Sequence, residues 1–283
     1  MPLQSNYSEY QTPRFRKLSD DQTERLHHAS LEILDRTGVC LYEPEALALL
    51  EKKGLKVEEG NRVRIPPGLV EWALGVAPKR AVICDRNGRR VMPLERNNVF
   101  FGPGSDCPNV IDPRTGERRR GTLQDVADSA RVCDALPNID FLMSFCIASD
   151  IQAEVSDRHQ MRAMLMNSTK PILFVTTEFD GTVDVIKMAE AVAGGEEALR
   201  RNPICALYIN VTAALRHNAE ALQKLLFMAE KGLPTTYTPV VLRGVNGPVT
   251  AAGAIALANA GELAGLVIAQ LKREGAPIIL TGG

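Results

Sequence analysis

The sequence has no excess of either charge. Its 33 Lys and Arg stand against 34 Asp and Glu, a net −1 at pH 7. Neither half is strongly basic, which argues against a nucleic-acid footprint. The stretch Met1 to Arg16 holds Arg14 and Arg16 but no apolar h-region, so it does not read as a signal peptide. There is no CxxC pair among Cys40, Cys84, Cys107, Cys133, Cys146 and Cys205. Most of these lie in apolar runs, the pattern of reduced, buried thiols in a cytoplasmic protein rather than a disulfide framework. Neither GxGxxG nor GxxxxGK[ST] occurs. Gly102-Pro103-Gly104-Ser105 is a fragment of such a loop, and Pro103 removes an N–H that a phosphate would need. One long apolar stretch, Ala251 to Leu271, has Glu262 at its centre. A carboxylate in mid-bilayer is costly, so a packed helix is expected there and not a membrane span. Gly261 and Gly265 within it read as a close helix–sheet contact.

What remains is an ordinary globular composition, 45% hydrophobic and 24% charged. Residues 1–95 read as a small α+β region. Ser19 and Gln22 have capping-box spacing, and Leu26, Ala29 and Ile33 share a helical face that Gly38 ends. Pro44 suits a first helical position, and Gly54 ends that second helix. Two hairpins follow, one turning through Glu58-Glu59-Gly60-Asn61 and one through Asn87-Gly88, a pair that tolerates φ > 0. From residue 96 to 283 apolar runs alternate with helical stripes. Strands are expected at Val99–Gly102, Phe141–Ala148, Pro171–Thr177, Ile204–Asn210, Pro234–Val240 and Pro277–Thr281. Stripes through Leu123 and Cys133, Val185 and Ala193, and Leu222 and Ala229 mark helices. Strand starts about thirty residues apart suit βαβ units. Without a nucleotide loop, a closed barrel is favoured over an open sheet. The fold class is therefore α/β, a (β/α)8 TIM barrel. About six strands are present where the barrel needs eight, so a C-terminally truncated barrel is expected.

In such a barrel chemistry sits at the C-terminal ends of strands. That selects Ser105 and Asp106, Ser149 and Asp150, Thr177 and Glu178, Asn210 and Thr212, Tyr237 and Thr238, and Thr281. Each also suits a helix cap or a rim hydrogen bond. Glu178 is a poor cap, and its alternatives are a solvated loop carboxylate or a catalytic base. Tyr237 lies among threonines. It is either barrel packing or an aromatic face for a quaternary ammonium group. The long loop from Pro103 to Gly121 carries Arg118, Arg119 and Arg120, a solvated run or a docking site for an acidic partner. His159 and His217 are expected near helix starts, and Met161, Met164 and Met166 as core filler. Lys170 begins a strand, the wrong end for a Schiff-base lysine.

The segment Leu18-Ser-Asp-Asp-Gln…His28-Ala-Ser-Leu-Glu-Ile-Leu-Asp-Arg-Thr-Gly38-Val resembles the opening of trimethylamine methyltransferase family proteins. So does Phe101-Gly-Pro-Gly-Ser-Asp106, followed by Asp112 and a helix at Thr122. Order and spacing carry the resemblance along nearly the whole chain. It implies a (β/α)8 barrel that moves a methyl group from a methylated amine to Co(I) of a corrinoid on a separate protein. A non-pyrrolysine bacterial type acting on a quaternary amine such as glycine betaine is expected. Asp106, Asp150, Glu178, Asn210 and Tyr237 are the expected substrate contacts. Arg118, Arg119 and Arg120 are the expected contacts with the cognate corrinoid protein. No ligand spacing like that of zinc-dependent methyltransferases is present, so no directly bound metal is expected. A homo-oligomer stays open. The alternatives are a barrel lyase or isomerase with Glu178 as base, or a non-catalytic fragment that binds a corrinoid protein.

Overall fold

The signals at the start of the chain act locally. Ser19 Oγ accepts from Gln22 N–H at 3.2 Å, and the Gln22 side chain accepts from Ser19 N–H at 3.0 Å. This capping box opens α1 (Asp20–Glu32), which runs into a π-helical turn (Ile33–Thr37). Gly38, at φ 73°, stops it: an added Cβ would stand 2.4 Å from the Val63 carbonyl oxygen, so only glycine fits. The computed structural model describes residues 16–281, and Arg14 lies outside them.

After Gly38 come β1 (Val39–Leu41) and α2 (Pro44–Lys52), which begins on proline as expected. The first hairpin pairs β2 (Val57–Glu58) with β3 (Arg62–Val63), so Glu58 lies in a strand and not in the turn. α3 (Pro67–Val76) was not anticipated. The second hairpin pairs β4 (Ala81–Cys84) with β5 (Arg90–Leu94). Its turn differs from the expectation: Gly88 alone has positive φ, while Asp85 Oδ1 accepts from Asn87 and Arg89 N–H, each at 2.9 Å. A third, unanticipated hairpin pairs β6 (Asn109–Ile111) with β7 (Arg118–Arg120). Then follow α4 (Leu123–Ala135), α5 (Ala153–Asn167), β8 (Ile172–Phe174), α6 (Phe179–Ala193), α7 (Glu196–Arg201), β9 (Cys205–Val211) and β10 (Arg216–His217). The chain continues with α8 (Ala219–Lys231), β11 (Thr235–Pro239), α9 (Ala251–Lys272) and β12 (Ile278–Leu280).

The fold is mixed α/β, and two compact units divide it. Arg80–Leu207 forms one. The segments running up to Lys79 and from Tyr208 form the other. The division falls at Lys79 and again inside β9. In the first unit the β4–β5 hairpin buries Ile83 and Met92 with Ala206, and Leu94, Phe141 and Leu173 pack around them. Cys84 N–H donates to the Pro203 carbonyl at 2.7 Å. β8 pairs in parallel with the start of β9, Ile172 opposite Cys205.

In the second unit a four-stranded sheet has the order β10-β1-β3-β2, with Cys40 opposite Arg216. β11 pairs in parallel with β12, Thr235 opposite Ile278. α9 is packed inside this unit: Leu263, Val267 and Ile268 are buried. It is the one helix among the described residues that is long and apolar enough to cross a membrane. Its glycines explain the packing. An added Cβ at Gly265 would lie 2.2 Å from Tyr237 Cδ1, and one at Gly261 would lie 2.4 Å from the Ala214 carbonyl. The expected helix–sheet contact is present.

No closed barrel forms among the described residues. Two expected strands are absent as ladders. At Val99–Gly102 the Phe101 N–H goes to the Asp140 carboxylate at 2.8 Å, a side-chain bond in place of a ladder partner. Phe141–Ala148 makes only isolated bridges, Leu142 with Ile172 and Cys146 with Cys107. Phe145, at φ 66°, breaks the extended run between them.

Candidate functional site

The strand-end residues of the first unit are held by hydrogen bonds to nearby loops and to the start of α4. Asp106 is exposed at φ 62°, and its carboxylate accepts from Ser105 Oγ at 2.9 Å. Ser149 Oγ donates to the Gly121 carbonyl at 2.6 Å. Asp150 Oδ1 accepts from Leu123 N–H at 2.8 Å, which satisfies a free donor at the start of α4. Asp150 also lines a cleft of about 390 Å³ with Leu123, Gln124, His159, Arg162 and Met166. His159 lies well inside α5 and not near its start, because α5 begins at Ala153. Met161 and Met164 are buried as expected, whereas Met166 is exposed.

Glu178 occupies the N-cap position of α6 but makes no capping bond, and it is exposed. Its free carboxylate thus stands at a helix N-terminus, where the helix dipole favours an anion. Beneath it Asp157, 6% exposed, accepts from Thr177 N–H at 3.3 Å and lies against Arg158. Arg158 also pairs with Asp184 at 2.8 Å. Gly181 is required there: an added Cβ would stand 2.2 Å from Asp157 Oδ2. Asp157 was not singled out from the sequence, since a carboxylate in a helical polar stripe carries no mark of burial.

The basic run resolves by strand alternation. Arg118 and Arg120 point outward on β7, and Arg119 points the other way. Arg119 bonds Asp112 at 2.9 Å and Asp125 at 2.7 and 2.9 Å. Asp125 completes a capping box with Thr122 at the start of α4. The Arg119 hydrogen bonds hold the Asp125 carboxyl far below the usual carboxylate range, and Asp112 is also lowered, first by the Arg114 N–H. Arg119 thus ties Asp112 to the start of α4. The spacing Thr122-x-x-Asp125 was the available signal. Lys170, at the opposite end of β8, donates to the carbonyls of Cys133, Leu136 and Ile139, each at 2.6 Å, and so closes the C-terminus of α4.

In the second unit Asn210 is exposed on β9. Thr212 Oγ1 donates to Asn218 Oδ1 at 3.4 Å, and the Thr238 and Thr281 hydroxyls meet at 2.5 Å. Tyr237 has no exposed surface. Its hydroxyl lies 2.6 Å from His217 Nδ1, and the two rings stack at 5.7 Å and 7°. With α9 against its edge, the ring meets protein and not an open cavity. Burial drives His217 down to about 4 and the Tyr237 phenol well above its usual value. His217 is thus a neutral imidazole, two residues before α8. Glu262, buried on α9 with Oε1 unbonded, is pushed up to about 7 by burial. No hydrogen bond joins Asp106, Asp150 and Glu178 to one another among the described residues.

Comparison with known proteins adds the following. The family model for trimethylamine methyltransferase (MTTB) matches residues 2–282. The trimethylamine methyltransferase MttB of Desulfitobacterium hafniense (strain DSM 10664 / DCB-2) is 31% identical over 262 residues, 92% of this chain and 53% of that protein. The glycine betaine methyltransferase of Desulfitobacterium hafniense (strain Y51) is 29% identical over 269 residues, 94% of this chain and 56% of that protein. The trimethylamine methyltransferase MttB of Methanosarcina thermophila is 27% identical over 267 residues, 92% of this chain and 55% of that protein. The chain thus spans about half the length of the curated relatives it matches. The crystal structure of the hydroxylamine MtmB complex superposes with a TM-score of 0.54 at 10% identity, over 93% of this chain and 53% of that one. That likeness concerns the fold alone.

Proposed function

Because the chain belongs to the trimethylamine methyltransferase family, we propose that the protein takes a methyl group from a methylated amine and passes it to Co(I) of a corrinoid carried by a separate protein. The observation that carries this reading is the family match along residues 2–282. We read the substrate as a quaternary amine of the glycine betaine kind. A quaternary nitrogen leaves as a neutral amine, so displacement at its methyl carbon needs no acid catalyst. The protein then has to bind a cation, orient it and exclude water. In the first unit Asp106 and Glu178 are exposed carboxylates following expected strands, and Asp150 lines a cleft; they supply oxygens suited to a cation. Tyr237 enters the reading as a positioning residue that holds His217, since its own ring is enclosed.

The parallel pairs β8–β9 and β11–β12 support a (β/α)8 barrel completed by further βα units. Arg118 and Arg120, exposed on β7, suit an acidic corrinoid protein. A cytoplasmic location fits the free cysteines and the burial of α9.

The test mixes the full-length protein with a corrinoid protein in the Co(I) state and a panel of methylated amines. Appearance of the methyl-Co(III) spectrum with a quaternary amine is the expected result. No spectral change with any methylated amine would overturn the reading.

A further inference from the structure

Cys107 and Cys146 are partners in a parallel β-bridge, and Ile147 N–H donates to the Cys107 carbonyl at 3.0 Å. Neighbouring strands lie about 4.8 Å apart. That falls inside the roughly 4.4–6.8 Å between Cα atoms that disulfides span. Bridge partners also project their side chains to the same side of the pair. Each cysteine follows a residue in the left-handed region, Asp106 at φ 62° and Phe145 at φ 66°. The two thiols differ in access. Cys107 is exposed and Cys146 is buried, with its sulfur 3.9 Å from the Thr122 carbonyl oxygen. An added Cβ at Gly121 would lie 2.7 Å from that sulfur, so glycine leaves the room that Cys146 occupies. Burial, with added repulsion from Asp125 and Cys107, pushes the Cys146 thiol up to about 11. Cys84, Cys133 and Cys205 are buried, and Cys40 is half-buried.

We propose that Cys107 and Cys146 are a peroxide-reactive thiol pair that closes to a reversible disulfide. The Cys107 thiolate attacks one oxygen of hydrogen peroxide, the O–O bond breaks and hydroxide leaves. Cys107 becomes a sulfenic acid. The Cys146 thiol then attacks the sulfenic sulfur, the S–S bond forms and the sulfenic oxygen leaves as water. Each sulfur gives up one electron, the peroxide gains two, and both thiol protons end on the two waters released. Access decides the order, because only Cys107 meets solvent, and a buried thiol of raised pKa is a poor first nucleophile. The bond would tie down the loop that carries Asp106. The inference stands apart from the methyl-transfer reading, since it requires no substrate and no corrinoid.

The experiment exposes the reduced protein to hydrogen peroxide and maps its peptides without reduction. Loss of two free thiols and an intramolecular peptide linking Cys107 to Cys146, both reversed by dithiothreitol, are expected. With Cys146→Ala, dimedone should trap a sulfenic acid at Cys107. Where that variant does not fold, Cys107→Ser at the exposed position serves, and Cys146 should then stay reduced. Oxidation of Cys107 without a link to Cys146, links only between molecules, or equally fast oxidation of Cys146 in Cys107→Ser would each overturn the proposal.

Discussion

The Tyr237 hydroxyl and His217 Nδ1 lie 2.6 Å apart in complete burial, with the two rings stacked. The bond joins β11 to β10 and leaves His217 Nε2 without a hydrogen-bond partner. A buried polar pair of this kind stabilises only while both members are present.

Tyr237→Phe keeps the ring and removes the hydroxyl. The His217 nitrogen it faced is then buried and unsatisfied, which costs about 1–3 kcal/mol. Urea unfolding of variant and parent measures the loss, and equal stability would mean that the bond contributes nothing.

Gly265→Ala places a methyl group 2.2 Å from Tyr237 Cδ1. Neither a ring packed on His217 nor a 22-residue helix moves easily, so the substitution should cost about 1–3 kcal/mol. Gly75→Ala in α3 is the control, because open space surrounds that position. There the gain in helix propensity should stabilise by up to about 1 kcal/mol. Thermal unfolding of the two variants should therefore move in opposite directions.

Glu262 has a native pKa raised to about 7 from an ordinary 4.5. Between these values the native state holds more protons than the unfolded state, so this residue's contribution falls as pH rises. Glu262→Gln should match the parent below pH about 4.5 and exceed it by about 3 kcal/mol above pH about 7. His217, lowered to about 4, acts in the opposite sense: stability is lost as pH falls from its ordinary 6.5 toward 4. That term is common to both proteins and cancels in their difference. A gap independent of pH would refute the account of Glu262.

The three consecutive arginines should separate by role. Arg119→Ala breaks bonds to Asp112 and Asp125 and weakens the cap of α4, so its unfolding midpoint should fall. Arg118→Glu with Arg120→Glu should leave the unfolding midpoint unchanged and slow association with an acidic corrinoid protein, most at low salt. Unfolding curves and stopped-flow association at two ionic strengths distinguish the two roles.

The elements that depend on neighbours a few residues away were legible in the sequence. Ser19 with Gln22, Pro44 at a first helical position and the stripe through Leu222 and Leu225 each specify a helix through contacts within one or two turns. The α6 start at Phe179 was not legible: Phe179-Asp180-Gly181 reads as a loop after the strand, and only the stripe from Val185 marks the helix. Less of the candidate site could be read. The exposure of Glu178 and Asn210 suits their places after and within expected strands, but the enclosure of Tyr237 depends on Gly265 and His217, which arrive from other elements. Asp157 gave no sign of burial, because its cover is the backbone of Gly181.

By itself the sequence determined the family, the mixed α/β class and the ends of the first two helices, since hydrophobic period and capping act through adjacent atoms. Tertiary structure alone decided which pieces share a core. Cys40 pairs with Arg216, Ser30 bonds the Ala256 carbonyl, and the β4–β5 hairpin packs with Ala206. Such contacts join residues far apart along the chain. They are chosen by which apolar faces can be buried together, a competition that no local pattern records.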